Sequence, residues 1–140
     1  MLHKISYFTL NKFDEHFFEF FKNTHGLFQL IDSSNIISEV QVMEAIRKTD
    51  RYILHNEKIR FPGTVLLMYI ARTNQINVAI ERCGINEKTR HGIAVYSNPE
   101  DLDRIIAGGY ITITERFLPF DVSGYDFHVF SEMAKVDFTL

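Results

Sequence analysis

The chain has one cysteine and no tryptophan among its 140 residues. A single thiol excludes an internal disulfide framework and a cysteine-rich zinc site, and it suits a reducing, cytoplasmic setting. Histidine occurs at His3, His16, His25, His55, His91 and His128, with no i, i+4 pair and no metal-ligand spacing. No apolar run approaches the ~20 residues that span a bilayer, so no membrane contact is expected. The N-terminus, MLHKISYFTL, lacks the long apolar core and small-residue cleavage site of a secretory signal. No glycine-rich element precedes a Lys-Ser or Lys-Thr pair, and Ser123 and Ser131 have no nucleophile-elbow context. These gaps leave no catalytic constellation, and neither an enzyme activity nor a cofactor or metal is expected.

What is present is ordinary in bulk and uneven in detail. Apolar residues make up 46% and charged residues 24%, as in a soluble globular protein. Thirteen phenylalanines point to a core built on aromatic packing. At this length a single domain, 1–140, is expected, burying roughly two thirds of its unfolded surface. The net charge of −3 hides a pattern. Residues 1–46 carry three basic and six acidic side chains; residues 47–90 carry nine against four; residues 91–140 carry three against eight. A local basic face in the middle third is one consequence of such asymmetry, and a scattered, solvated set is the other.

The chain is organised around Val65 to Gly84. Val65, Leu66, Leu67, Met68, Tyr69, Ile70 and Ala71 form an unbroken apolar run, which reads as a strand covered on both faces. Ile76, Ala79, Ile80 and Cys83 then fall on one stripe of an amphipathic helix, where Cys83 is expected to be buried and inert. Thr73 or Asn74 is placed to cap that helix and Gly84 to stop it in the left-handed conformation. The turn collects Arg72, two amides and free backbone N–H groups at a positive helix end, which suits a phosphate or carboxylate. A capped helix with a solvated arginine explains the same residues.

Before this unit, His3 to Leu10 reads as an edge strand. Asn11 reads as the cap of a helix carrying Phe13, Phe17, Phe20 and Phe21 on one stripe. Phe18 lies off the stripe; the core is its expected home, with a partner surface as the other reading. Leu27 to Ile31 suggests a strand, and a long helix runs from Ile36 or Ser38 to His55. Its apolar face is Val42, Ile46 and Ile53, flanked by Val40, Met43 and Leu54, with Arg47, Lys48 and Arg51 on the polar side. Phe61-Pro62-Gly63 signals a turn. Beyond Gly84, Gly92 to Tyr96 is a second buried strand. Asn98-Pro99-Glu100-Asp101 starts a helix that Gly108-Gly109 ends, and Tyr110 to Thr114 favours a strand. A short helix is placed near Tyr125 to Ala134. Alternating element types argue for an α/β fold with helices packed on a central sheet.

The residues Ala71-Arg72-Thr73-Asn74-Gln75-Ile76, then Ala79-Ile80 and Gly84-Ile85, resemble the signature of the PRPK-binding protein family. That family is the small regulatory subunit of the KEOPS complex that contacts its kinase-like ATPase. The resemblance is specific across Val65 to Tyr96 and looser from Phe28 to Ile106, with none seen beyond Gly108. It implies a mixed β-sheet flanked by helices on both faces and a non-catalytic subunit of a tRNA-modifying assembly that forms threonylcarbamoyladenosine. It also implies recruitment of tRNA through its single-stranded 3′ CCA end. On that reading Arg72 and the helix start hold phosphate, with Thr73 beside them, and Asn74 or Gln75 bonds a base edge. Lys58, Arg60 and Arg90 would add long-range attraction. Phe18, Phe117 and Phe120 are the aromatic candidates for the kinase surface, each with core packing as its simpler reading. A protein-only adaptor of the kinase, or a small-molecule enzyme using the Arg72 turn, are the alternatives.

Overall fold

A computed structural model describes residues 3–24, 26–56, 61–121 and 126–137. They fall into two compact units, each assembled from two chain segments: 1–33 with 85–117, and 34–84 with 118–140.

The first unit holds the sheet: β1 (Lys4–Leu10), β2 (Phe28–Asp32), β3 (His91–Tyr96) and β4 (Ile111–Thr114). The order is β2-β3-β1-β4 and all three pairings are antiparallel, where the resemblance implied a mixed sheet. β1 is therefore an interior strand, not the edge its weak alternation suggested. β3 is buried at five of its six positions, in keeping with its continuous apolar run. The helix α4 (Pro99–Ala107) packs against β3 and β4. Asn98 caps it, its side-chain oxygen accepting from the Glu100 N–H. Phe8, Leu30, Ala94 and Ile111 from the strands meet Leu102 and Ile105 of α4 in one apolar cluster.

The phenylalanine stripe near the N-terminus contracts to a 3₁₀ turn, Phe17–Phe21. Asn11 does not cap it; its side-chain amide donates to the Thr112 hydroxyl instead. Phe17 is fully buried, with Phe13, Phe21 and Tyr110 around its ring. Phe18 points outward, 54% exposed, so the core expected for it is not where it lies.

Gly92 of β3 is required by close approach. A Cβ there would run into the Ile31 carbonyl oxygen of β2 and the Phe8 ring of β1. A backbone carbonyl inside a ladder cannot step aside as a flexible side chain can. Gly92→Ala is therefore expected to destabilise the sheet by about 1–3 kcal/mol, read as a lowered denaturant midpoint. An unchanged midpoint would mean that β2 and β3 part without cost.

The second unit is helical among the described residues: α1 (Glu39–His55), α2 (Pro62–Ala71), α3 (Ile76–Cys83) and α5 (Asp126–Asp137). Ser38 caps α1 by accepting from the Gln41 N–H. The Glu39 and Val40 N–H groups donate to the carbonyls of Pro119 and Phe120, so further free donors of that helix end are met by backbone.

The apolar run Val65 to Ala71 is a helix, and the strand expected there is corrected. Every residue of the run is buried. A helix enclosed on all sides has no polar face and shows no 3.6-residue periodicity, so it is indistinguishable by pattern from a doubly covered strand. Pro62 at its first turn is the signal that favoured the helix.

The buried face of α1 also differs from expectation. It consists of Gln41, Val42, Ala45, Lys48 and Thr49, while Met43 and Leu54 are exposed. Lys48, placed on the polar side from sequence, is thus buried, and the reason is a partner on α5 described below.

Candidate nucleic-acid interface

The helix α2 ends in a Schellman arrangement: the Thr73 N–H donates to the Met68 carbonyl and the Arg72 N–H to the Tyr69 carbonyl. Such an ending needs one left-handed residue. Here it is Arg72, with φ 58° and ψ 48°. Gly84, expected to take that role for α3, has φ −74° and ψ 159° and is extended. Its lack of a side chain matters for another reason, since a Cβ would strike the Ile80 carbonyl.

Between α2 and α3 the chain makes a tight turn. The Thr73 hydroxyl accepts from the Gln75 N–H at 3.2 Å, and Gln75 itself occupies the position before the helix with no side-chain cap. Neither Thr73 nor Asn74 caps α3, contrary to expectation, and among the described residues no side chain caps its first N–H groups. Asn74 and Gln75 are exposed and Thr73 is half-buried. The stripe predicted for α3 is divided: Ala79 and Cys83 are fully buried, while Ile76 and Ile80 are about half exposed, at 52% and 50%.

Arg72 does not stand free in solvent. Its side chain is 27% exposed, and Nε lies 3.4 Å from Oε1 of Glu132 on α5. That is ion-pair distance without hydrogen-bond geometry, and Nε has no hydrogen-bond partner among the described residues. The same carboxylate oxygen lies 3.1 Å from His128 Nε2, one helical turn away.

Four of the nine basic residues of the middle third, Arg47, Lys48, Arg51 and Arg72, are paired with acids of the helical unit. Arg47 pairs with Glu44. Lys48 Nζ lies 2.6 Å from Asp137 Oδ2, and Arg51 lies 3.2 Å from the same oxygen. Arg82 donates to the Ala71 carbonyl. Tyr69 Oη donates to Asp137 Oδ1 at 2.5 Å, so this one carboxylate accepts from three side chains. Burial pushes the Asp137 carboxyl up, but the bonds from Lys48 and Tyr69 and the nearby charges outweigh it and hold the group below its usual range. Burial and the Asp137 bond push the Tyr69 hydroxyl up. The cluster is fully partnered and works as a clamp between α1, α2 and α5.

Of the remaining candidates, Arg90 is exposed and belongs to the sheet unit, while Arg72 to Gln75 belong to the helical unit. Lys58 and Arg60 lie outside the described residues. Phe117 is 43% exposed and sits edge-on to Tyr7; Phe120 is 53% exposed. With Phe18 they are three exposed rings, not the core residues that is the simpler reading of each. A hollow of about 370 Å³ beside α4 is lined by Asn23, Glu100, Asp101, Asp103 and Arg104, and Arg104 already pairs with Asp101 there. Among the described residues no group of three or more histidine, cysteine or acidic side chains could hold a metal. No helix among them is long and apolar enough to cross a membrane.

Sequence reasoning missed Glu132 and Asp137 as determinants of this region. The i, i+4 spacing of His128 and Glu132 was available as a helical pair, but nothing in the order of residues announces that α5 meets α1 and α2.

No curated protein matches the chain. Residues 11–132 match the family described as kinase binding protein CGI-121, well past the limit at Gly108 that the motif comparison suggested. The match includes the turn, the exposed phenylalanines and α5 as far as Glu132, and it agrees with the resemblance carried by Ala71 to Ile76. The chain belongs to the kinase binding protein CGI-121 family.

Proposed function

We propose that this chain is a non-catalytic accessory subunit of a KEOPS-type tRNA-modifying complex. It binds the kinase-like ATPase of that complex, a reading supported by the family's description as kinase binding protein, and brings tRNA to the complex through the single-stranded 3′ CCA end. The observation that carries the RNA part is the turn at Arg72 to Gln75. It combines an Arg72 side chain that is 27% exposed with its Nε buried, two exposed amides and, at the start of an eight-residue helix, N–H groups without a side-chain cap among the described residues. Phosphate oxygens suit the cation and the N–H groups, and base edges suit the amides. The exposed Ile76 and Ile80 border the turn on α3 and offer apolar surface to an unstacked base.

The test is binding of a tRNA transcript with and without its terminal CCA, for the wild type and two Arg72 variants. Arg72→Gly suits the left-handed backbone and removes only the side chain. It is expected to melt no lower than the wild type yet to bind tRNA more weakly, with a salt dependence shallower by about 0.7 in log–log slope. Arg72→Glu should weaken binding further. Binding that ignores the CCA nucleotides, with dissociation constants unmoved by either variant, would leave a protein-only adaptor of the kinase. Phe18, Phe117 and Phe120 are the proposed candidates for the kinase contact, each testable by co-purification after replacement with serine.

A further inference from the structure

The region that holds Arg72 contains its own anion. Glu132 reaches the Arg72 guanidinium from α5, with Oε1 3.4 Å from Nε. We propose that Glu132 is a built-in competitor for Arg72, exchanged for a phosphate when nucleic acid binds; this deepens the RNA reading above and rests on it.

Three observations support exchange over a permanent bond. The Arg72–Glu132 contact is an ion pair at 3.4 Å through an Nε that is buried and has no hydrogen-bond partner among the described residues, so it lacks the charge-assisted hydrogen bond that a phosphate meeting the exposed 27% of the side chain can make. Glu132 keeps a second partner, His128 Nε2 at 3.1 Å on the same helix, so its release from Arg72 does not leave it alone. The root of Arg72 is held by the Schellman bonds of α2, so the side chain can swing while the backbone stays in place. Together these describe a cation kept from random anions by a carboxylate that yields to a stronger ligand. The exposure of the pair, 27% and 37%, makes the competition modest and salt-sensitive.

The experiment measures affinity for an unmodified tRNA transcript ending in CCA, by fluorescence anisotropy at moderate salt. Glu132→Gln should tighten binding about two- to fivefold, the range of a partly exposed ion pair. Glu132→Asp keeps the charge and should stay nearer the wild type. In an Arg72→Gly background, Glu132→Gln should change nothing, because the competitor then has nothing to compete for. Tightening that survives in that background would reveal a general charge effect and overturn the proposal. So would unchanged or weaker binding by Glu132→Gln while Arg72→Glu still loses affinity; Glu132 would then be a support for Arg72. Should neither Arg72 variant alter binding, the RNA reading itself fails and the competitor falls with it. Thermal melting of each variant confirms that the folded protein is being compared.

Discussion

Asp137→Ala is expected to lower the stability of the helical unit by about 3 kcal/mol, roughly 10 °C in midpoint for a chain of this length. The carboxylate accepts from Lys48, Arg51 and Tyr69 together. Its loss strands an ammonium whose side chain is only 7% exposed, beside a tyrosine hydroxyl without its acceptor. Removing one member of a buried pair is costly because the other charge stays behind, desolvated. The contrast with Lys48→Met is informative. That change removes the buried charge itself and leaves Asp137 with Arg51 and Tyr69, so the loss should be clearly smaller. Equal losses for the two variants would show that burial of Lys48 is not the source of the cost.

The same carboxylate gives a pH signature. Its pKa in the folded chain lies below the ordinary value of 3.8. Its contribution is therefore complete above pH 3.8 and is lost as pH falls through the depressed folded value. Asp137→Asn should be less stable than the wild type at neutral pH, and the gap should close in strong acid. A gap that stays constant from neutral pH to pH 2 would contradict the assignment.

Leu66→Ala should cost about 3–4 kcal/mol, measured by denaturant unfolding. Leu66 is fully buried on α2, between turns that also bury Tyr69 and Ile70. Removing three carbons from a helix enclosed on every side leaves a cavity with no wet edge through which neighbours could collapse. A loss under 1 kcal/mol would mean that α2 is not enclosed as described. Met43→Ala, on the exposed face of α1, is the matched control and should change little.

How much of this was legible beforehand varied with the kind of signal. Helices with both a cap and a stop were readable. Ser38 opens α1, Asn98 and Pro99 open α4, and Gly108-Gly109 closes it. The apolar run at Val65 was misread because enclosure erases the periodicity on which the reading depends. The run Phe13 to Phe21 has helical spacing yet forms only a 3₁₀ turn; the burial of Phe17 and the Tyr110 bond to Asp14 accompany that local shape. The family was readable from a handful of residues at the Arg72 turn. The chemistry of the turn was not, since it depends on which acid comes to sit beside Arg72.

By itself the order of residues determined where the capped helices α1 and α4 begin, the exclusion of an internal disulfide by a single cysteine, and the motif that carries the family. These are local properties, decided within a few residues by propensity, capping and side-chain type. Tertiary structure alone decided that β1 lies inside the sheet, that Arg72 takes the left-handed position, and that α5 brings Glu132 and Asp137 onto the basic middle third. Ion pairs between residues 60 or more apart depend on how helices pack, and a charge written in the sequence is silent about which opposite charge will neutralise it.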